Sequence, residues 1–217
     1  MTSRTRADWL IPVGLIALSL IPIAAGTFRV VQIGVGAEFT PDNARFLSAP
    51  LPFVLHIVSS VIFCILGAFQ FSPRVRQRNP NWHRAAGRVL IPCGLVVALT
   101  GLWMTQFYPP GVEPPASFDG PFLYAIRLLV GSAMALSLCL GLAAVRRRDI
   151  PRHRAWMMRG YALGLGAGTQ VLTHLPWFLF PSIQGELART FFMAAGWAIN
   201  LAVAEWLISS EPRRPLS

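Results

Sequence analysis

Six long apolar runs separated by clusters of arginine constrain this chain more than any other feature. They lie at about 9–27, 51–72, 89–108, 121–145, 160–180 and 190–209. A helix needs roughly 20 apolar residues to cross the hydrocarbon of a bilayer, and each run is near that length. Charged residues make up 13% of the 217, about half the roughly 25% of a soluble domain. The expectation is an all-α integral membrane protein: a single transmembrane domain over residues 1–217, built as a six-helix bundle. The first run has a second reading as a signal peptide, because Arg4 and Arg6 precede it and Ala24, Ala25 and Gly26 follow. It is longer than the 7–15 residues of a usual signal core, which favours a retained helix.

Every one of the 19 basic residues is arginine, and the net charge is +10. Such a balance can indicate nucleic acid, but here the arginines lie between apolar runs rather than on a soluble face, so no nucleic-acid partner is expected. Arginine bias across short connections sets orientation. The two tails and the segments 73–88 and 146–159 carry two, two, five and six arginines, whereas 28–50, 109–120 and 181–189 carry only Arg29, Arg45 and Arg189. Both termini and the two arginine-rich bends are therefore expected in the cytoplasm of a bacterial inner-membrane protein. Anionic lipid at that face is an expected partner, worth about 1 kcal/mol per basic residue near the surface.

The two bends also resemble each other. "NWHRAAGRV" (81–89) and "PRHRAWMMRG" (151–160) each lead into an apolar run. An offset of 71 pairs Phe53 with Tyr124, His56 with Arg127, Gly87 with Met158 and Arg88 with Arg159. That pattern predicts a parallel repeat of helices 2–3 and 4–5, with convergent bend chemistry as the alternative. Helix 5 has two faces: Gly160, Gly164 and Gly168 form a smooth ridge suited to close packing, and Gly166, Gln170 and His174 form another that should face the bundle. Pro92 and Pro176 are candidate kinks.

The chemical lead lies in four histidines, His56 and His174 toward the outer side and His83 and His153 at the inner bends. The loops that carry the latter two are expected to precede their helices. Neutral imidazole is a good iron ligand, and arginine forks suit the carboxylates of haem propionates. On this reading His56 and His174 hold an outer haem b with Arg127 as propionate partner. His83 and His153 hold an inner one beside Arg84, Arg88, Arg154 and Arg159, so that electrons cross the membrane. Arg127 starts six residues after Pro121, about 9 Å along a helix, and is also within reach of the outer interface without any haem. Gln70, Gln170, Asn200 and Glu205 are the remaining polar intramembrane residues. Glu205 is expected to pair with Arg88 or Arg159, since an intramembrane carboxylate needs a cationic partner; a proton site shared with Asn200 is the alternative.

Two other classes stay open: a small transporter or lipid- or anion-binding bundle lined by His56, Arg127, Gln170 and His174, and a structural subunit that meets a homo-oligomer or complex partner through the glycine ridge. No GxSxG, HExxH, P-loop or GxGxxG context suggests an enzyme mechanism. Cys64, Cys93 and Cys139 lie in apolar runs without metal-binding spacing.

The succession "LHIVSSVIFCILGAFQFSPRVR", "NPNWHRAAGRV", "RRRDIPRHRAWMMRGYAL" and "NLAVAEWLI" resembles the bacterial membrane family called domain of unknown function 2306, over roughly residues 50–210. The resemblance implies a multi-pass bundle without an established activity. Its recurring features fall on His56, Gln70, Arg74, His83, Arg84, Gly87, Arg88, His153, Arg154, Trp156, Met157, Arg159, Tyr161, Asn200, Glu205 and Trp206; His174 lies outside them. The overall shape is similar to cytochrome b561-type bundles, which draw haem ligands from four successive helices. Here helix 4 offers Arg127 and no histidine.

Overall fold

The computed structural model describes residues 2–41 and 43–210, and it is all-helical, with no strand among those residues. The expected tail arginines Arg213 and Arg214 lie outside the described residues. Ten α-helices follow in order: α1 (Thr2–Gly34), α2 (Ala44–Ser48), α3 (Pro50–Gln70), α4 (Pro73–Arg78), α5 (Pro80–Phe107), α6 (Pro121–Arg146), α7 (Ile150–Gly164), α8 (Gly166–Thr173), α9 (Leu175–Leu179) and α10 (Glu186–Ser209). Proline opens many of them: Pro50, Pro73, Pro80 and Pro121 each occupy a first turn, where the missing N–H costs nothing and the fixed φ suits the helix. At the bends, Ser72 caps α4 by accepting from the Val75 N–H, and Asp149 caps α7 by accepting from the Arg152 N–H.

Among the described residues, five helices are long and apolar enough to cross a membrane: α1 from Trp9, α3, α5, α6 and α10. At 1.5 Å per residue the shortest, the 21 residues of α3, reaches about 31 Å, the thickness of a hydrocarbon core. Between 11% and 33% of each spanning window is buried within the protein, so most of this apolar surface faces outward, as lipid-facing helices require.

The run expected as a sixth span, 160–180, is not one helix. It is divided into α7, α8 and α9 by turns at Leu165 and His174. Pro176 accounts for the second interruption, because it has no N–H for a preceding carbonyl. The first has no proline. There the Ala162 carbonyl is taken out of the helical ladder and accepts instead from Asn200 Nδ2 on α10, at 3.1 Å. Asn200 Oδ1 accepts from Thr169 Oγ1 at 2.6 Å, so a single amide clips the two sides of the break together. The histidines of the bends also sit differently from expectation. His83 and His153 lie in the first turns of α5 and α7 rather than in loops before them, since the helices begin at Pro80 and Ile150.

Hairpins α3–α5 and α6–α7 pack side by side through α5 and α6, with α10 against α7 and α8, and α1 against α3 and α8. The core gathers Phe63, Leu90, Val97, Met134, Leu138 and Tyr161. The Tyr161 hydroxyl reaches across to the Cys64 carbonyl at 2.8 Å, which satisfies its one donor in a dry interior. The glycine ridge is consumed inside the chain. A Cβ on Gly160 would meet Leu138 at 3.0 Å, on Gly164 Phe63 at 2.7 Å, and on Gly168 the Leu18 carbonyl at 2.5 Å. The other face packs on α10, where Gly166 touches Trp197 and Gln170 lies over Gly196.

Candidate functional site

At the end of the bundle that carries the 109–120 connection, the helices part around a cavity of about 570 Å³, within the range of small-molecule pockets. Its lower wall is apolar and closely drawn in: Val97 and Ala98 on α5, Met134 on α6, and the broken stretch Leu163–Gly164–Leu165. Its mouth is polar, with Arg45, Tyr108, Asp119, Tyr124, Arg127 and Arg189.

One carboxylate organises that mouth. Asp119 stands just before α6, and its Oδ2 accepts from Arg127 Nη1 at 2.8 Å while its Oδ1 accepts from Arg189 Nε at 2.6 Å. Two helices that are 62 residues apart in sequence at these arginines are thereby tied through a connecting loop. Burial pushes the Asp119 carboxyl up, but the neighbouring Arg127 and Arg189 guanidiniums outweigh it and hold the group below its ordinary range. Arg127, expected at the outer interface, therefore spends its charge on an internal partner. Among the described lining residues there are three guanidiniums and one carboxylate. The Glu186 carboxyl lies against Gly120 just outside, and positive charge remains in excess. The third guanidinium, Arg45, rests on the Phe46 ring, 4.7 Å from its centroid.

His56 lines the cavity from α3, directly above Gly101. Its Nδ1 lies 3.0 Å from Thr100 Oγ1, and that hydroxyl donates to the Val96 carbonyl. With its single proton on the Val96 carbonyl, the hydroxyl accepts from His56. Nδ1 then carries the ring hydrogen and Nε2 keeps its lone pair. No hydrogen-bond partner is seen for Nε2 among the described residues, and it accepts when the ring is neutral.

The other expected site residues divide between the two ends. Gln170 joins the cavity wall and donates from Nε2 to the Met193 carbonyl at 3.0 Å. His174 is buried behind it. Its Nδ1 lies 2.9 Å from the Gln170 carbonyl, its Nε2 has no partner, and it is not among the cavity's lining residues. At the opposite, arginine-rich end, His83 stands within electrostatic reach of His153, Arg76 and Arg84. His153 Nδ1 meets the Gly141 carbonyl at 2.8 Å, and Arg154 stands within electrostatic reach of Arg76. Arg88 sits one turn further into α5. Glu205 takes Arg159, one of its two expected partners, in a two-pronged pair whose Nη2–Oε2 contact is 2.8 Å. Gln70 Nε2 and His83 Nδ1 are buried without a hydrogen-bond partner. No group of three or more metal-binding side chains occurs among the described residues.

Sequence reasoning did not single out Asp119 or Thr100, and it used Arg45 and Arg189 only for topology. A signal for Asp119 existed: it is one of nine acids in the chain, two residues ahead of a spanning helix that carries an arginine two turns in. Nothing local pointed to Arg189, 70 residues further on.

Fold and cavity together define a multi-pass helical membrane protein with an internal chamber, apolar below and cationic at the mouth. A family model described as "Predicted membrane protein (DUF2306)" matches residues 53–208, and the chain belongs to that family. The match runs from the first turn of α3 to the end of α10, leaving α1 and Arg45 outside. No curated protein and no solved structure matches the chain, and the similarity to cytochrome b561-type bundles is not shown by any comparison.

Proposed function

We propose that this protein binds an amphiphilic anion in the cavity and exchanges it with the outer leaflet of a bacterial inner membrane. The arginine bias supports a topology with both termini and the arginine-rich bends in the cytoplasm, which turns the cavity mouth outward. The observation that carries the reading is the pair of guanidiniums sharing Asp119 directly above an apolar floor. Excess positive charge at the mouth suits a carboxylate, sulfate or phosphate headgroup, and the floor suits a hydrocarbon tail. The acceptor nitrogen of His56 would orient a hydroxyl or protonated group of the same ligand.

The test is equilibrium binding of dodecanoate and of dodecanol to the detergent-purified protein. The acid is expected to bind about tenfold more tightly, the worth of one charge-assisted contact, and Arg127→Gln should remove the difference. Equal affinity for acid and alcohol would sink the reading.

Haem b is a second reading, favoured by one observation: the Nε2 lone pair of His56 over a cavity whose mouth holds Arg127 and Arg189. Haem is itself an amphiphilic anion, and where bound it supplies one-electron chemistry. His56 is the single histidine on the described lining, so an outer haem would take one histidine here rather than a pair. A Soret band lost in His56→Ala supports it, and the inner expectation, His83 with His153, is tested by the same spectra on His83→Ala and His153→Ala. Colourless protein made with ample haem overturns both.

A further inference from the structure

We infer that the arginine-rich end contains a second site, for a phosphate group, set between the first turn of α5 and the end of α3. The starting point is two polar atoms that the fold leaves stranded. Gln70 Nε2 and His83 Nδ1 are both fully buried, and neither has a hydrogen-bond partner. An amide nitrogen can only donate, and buried donors are rarely left alone in native proteins. Gln70 Nε2 is one such donor, His83 Nδ1 is a second in the tautomer that carries its hydrogen there, and one acceptor set between the end of α3 and the start of α5 would satisfy both.

The helix geometry puts them together. The Phe69 and Trp82 rings meet edge to face, with centroids 6.2 Å apart, which fixes the register of antiparallel α3 and α5 at this level. Each step along a helix turns the side chain by about 100°. Because the two chains run in opposite directions, the next residue on each turns to the same side of the pair. Those residues are Gln70 and His83, and the buried state of both atoms marks that side as the bundle interior.

The surroundings are cationic. Arg76 and Arg84 lie within electrostatic reach of His83, as does His153 across on α7. Arg84 Nη2 is steadied by Asn81 Oδ1. The segments 73–88 and 146–159 hold eleven arginines and a single acid, Asp149, and Asp149 Oδ1 is engaged in capping α7. Glu205, the nearest acid on α10, is taken by Arg159. No internal carboxylate among the described residues therefore plays at this end the part that Asp119 plays at the other.

Gln70 on α3 and His83 on α5 bring the stranded atoms, and Arg76 on α4 and Arg84 on α5 lie within electrostatic reach of His83. A group with oxygens pointing in several directions answers such a set better than a planar carboxylate. A phosphate has that shape, with at least two charged or acceptor oxygens directed apart. It can come from the headgroup of an anionic phospholipid or from free phosphate in solution. The site shares no residue with the cavity, so it stands or falls independently of the proposed function.

The experiment measures the melting temperature of the full-length protein under two additions. In one, it is reconstituted in phosphatidylcholine vesicles with or without phosphatidylglycerol. In the other, it is held in zwitterionic detergent with or without inorganic phosphate, at matched ionic strength. The wild type is expected to be stabilised by phosphatidylglycerol if the source is lipid, and by phosphate if it is the free ion. Gln70→Leu keeps the bulk and removes the stranded donor. It should melt no lower than wild type without the anion and lose most of the anion's effect, with binding about tenfold weaker. Arg84→Gln should lose a similar share and provides a second variant if Gln70→Leu fails to fold. Arg147→Gln, an exposed arginine of the same end, should keep the effect. Stabilisation by neither addition, or an equal loss in Arg147→Gln and Gln70→Leu, would overturn the site. So would a haem spectrum that requires His83.

Discussion

The two ends of the bundle use arginine in opposite ways. At the Asp119 end, arginines are few, and two of them are spent on one carboxylate that joins the α6 and α10 helices across a cavity. At the bends, eleven arginines accompany one acid in the same segments, and the resolved pair there, Arg159 with Glu205, lies on the rim. The difference teaches that arginine number and arginine work are separate matters. A crowd of guanidiniums is a bias along the sequence, of the kind expected to orient a chain in a membrane. A pair held by a single buried anion shapes a site.

Breaking the sparse end should cost most. Asp119→Asn leaves two guanidiniums in a partly buried mouth without their counter-charge, and loss of one partner from such a network costs about 3 kcal/mol. A large drop in the denaturation midpoint of the detergent-purified variant is expected, and an unchanged midpoint would dissolve the contrast between the ends. Acid should imitate that substitution. The Asp119 carboxyl is held below its ordinary range by Arg127 and Arg189, so its stabilisation is complete above about pH 4, the unfolded value. It fades as pH falls through the lower folded value. Wild type should lose stability over that acid window more steeply than Asp119→Asn; parallel curves would assign the acid sensitivity to other groups.

Asn200, between the ends, should give an intermediate loss. Asn200→Leu strands the Ala162 carbonyl and the Thr169 hydroxyl, and intramembrane hydrogen bonds are worth about 1–2 kcal/mol. Unfolding of reconstituted Asn200→Leu and Asn200→Asp variants would check this. Identical stability of all three proteins would show that the break in α7–α8 does not depend on the amide. The smallest effect belongs to the rim: Glu205→Gln removes a pair that lies partly exposed near the end of α10, worth about 0–1 kcal/mol where solvent screens it. A loss as large as that of Asp119→Asn would put the rim on the same footing as the cavity.

How far these features were legible from sequence follows from their range. Long apolar runs located α1, α3, α5, α6 and α10, because spanning length is a property of a contiguous segment. The pairing of Glu205 with Arg159 was legible as one of two options from the scarcity of acids. The break at Leu165 was not, since it depends on an amide from α10 rather than on a proline in the segment itself. The Pro176 interruption was foreseeable for the contrary reason. The cavity lining was half legible: His56, Arg127 and Gln170 are visible as polar residues in apolar runs, whereas Asp119 and Arg45 sit outside them, where polarity is ordinary. The glycines of helix 5 were rightly read as a packing surface, but composition could not say that Phe63, Leu138 and Leu18 of the same chain fill it.

The clipped break also bears on how the protein is made. Segments α7, α8 and α9 hold 15, 8 and 5 residues, each short of the roughly 20 that can enter a bilayer unaided. The Ala162 carbonyl waits for an amide that is synthesised 38 residues later. A ribosome delivers the chain from its N-terminus, so this stretch emerges before the helix that completes its hydrogen bonding. The expected consequence is that the second half of the bundle settles as a unit, with α10 as the last piece to complete the interrupted wall.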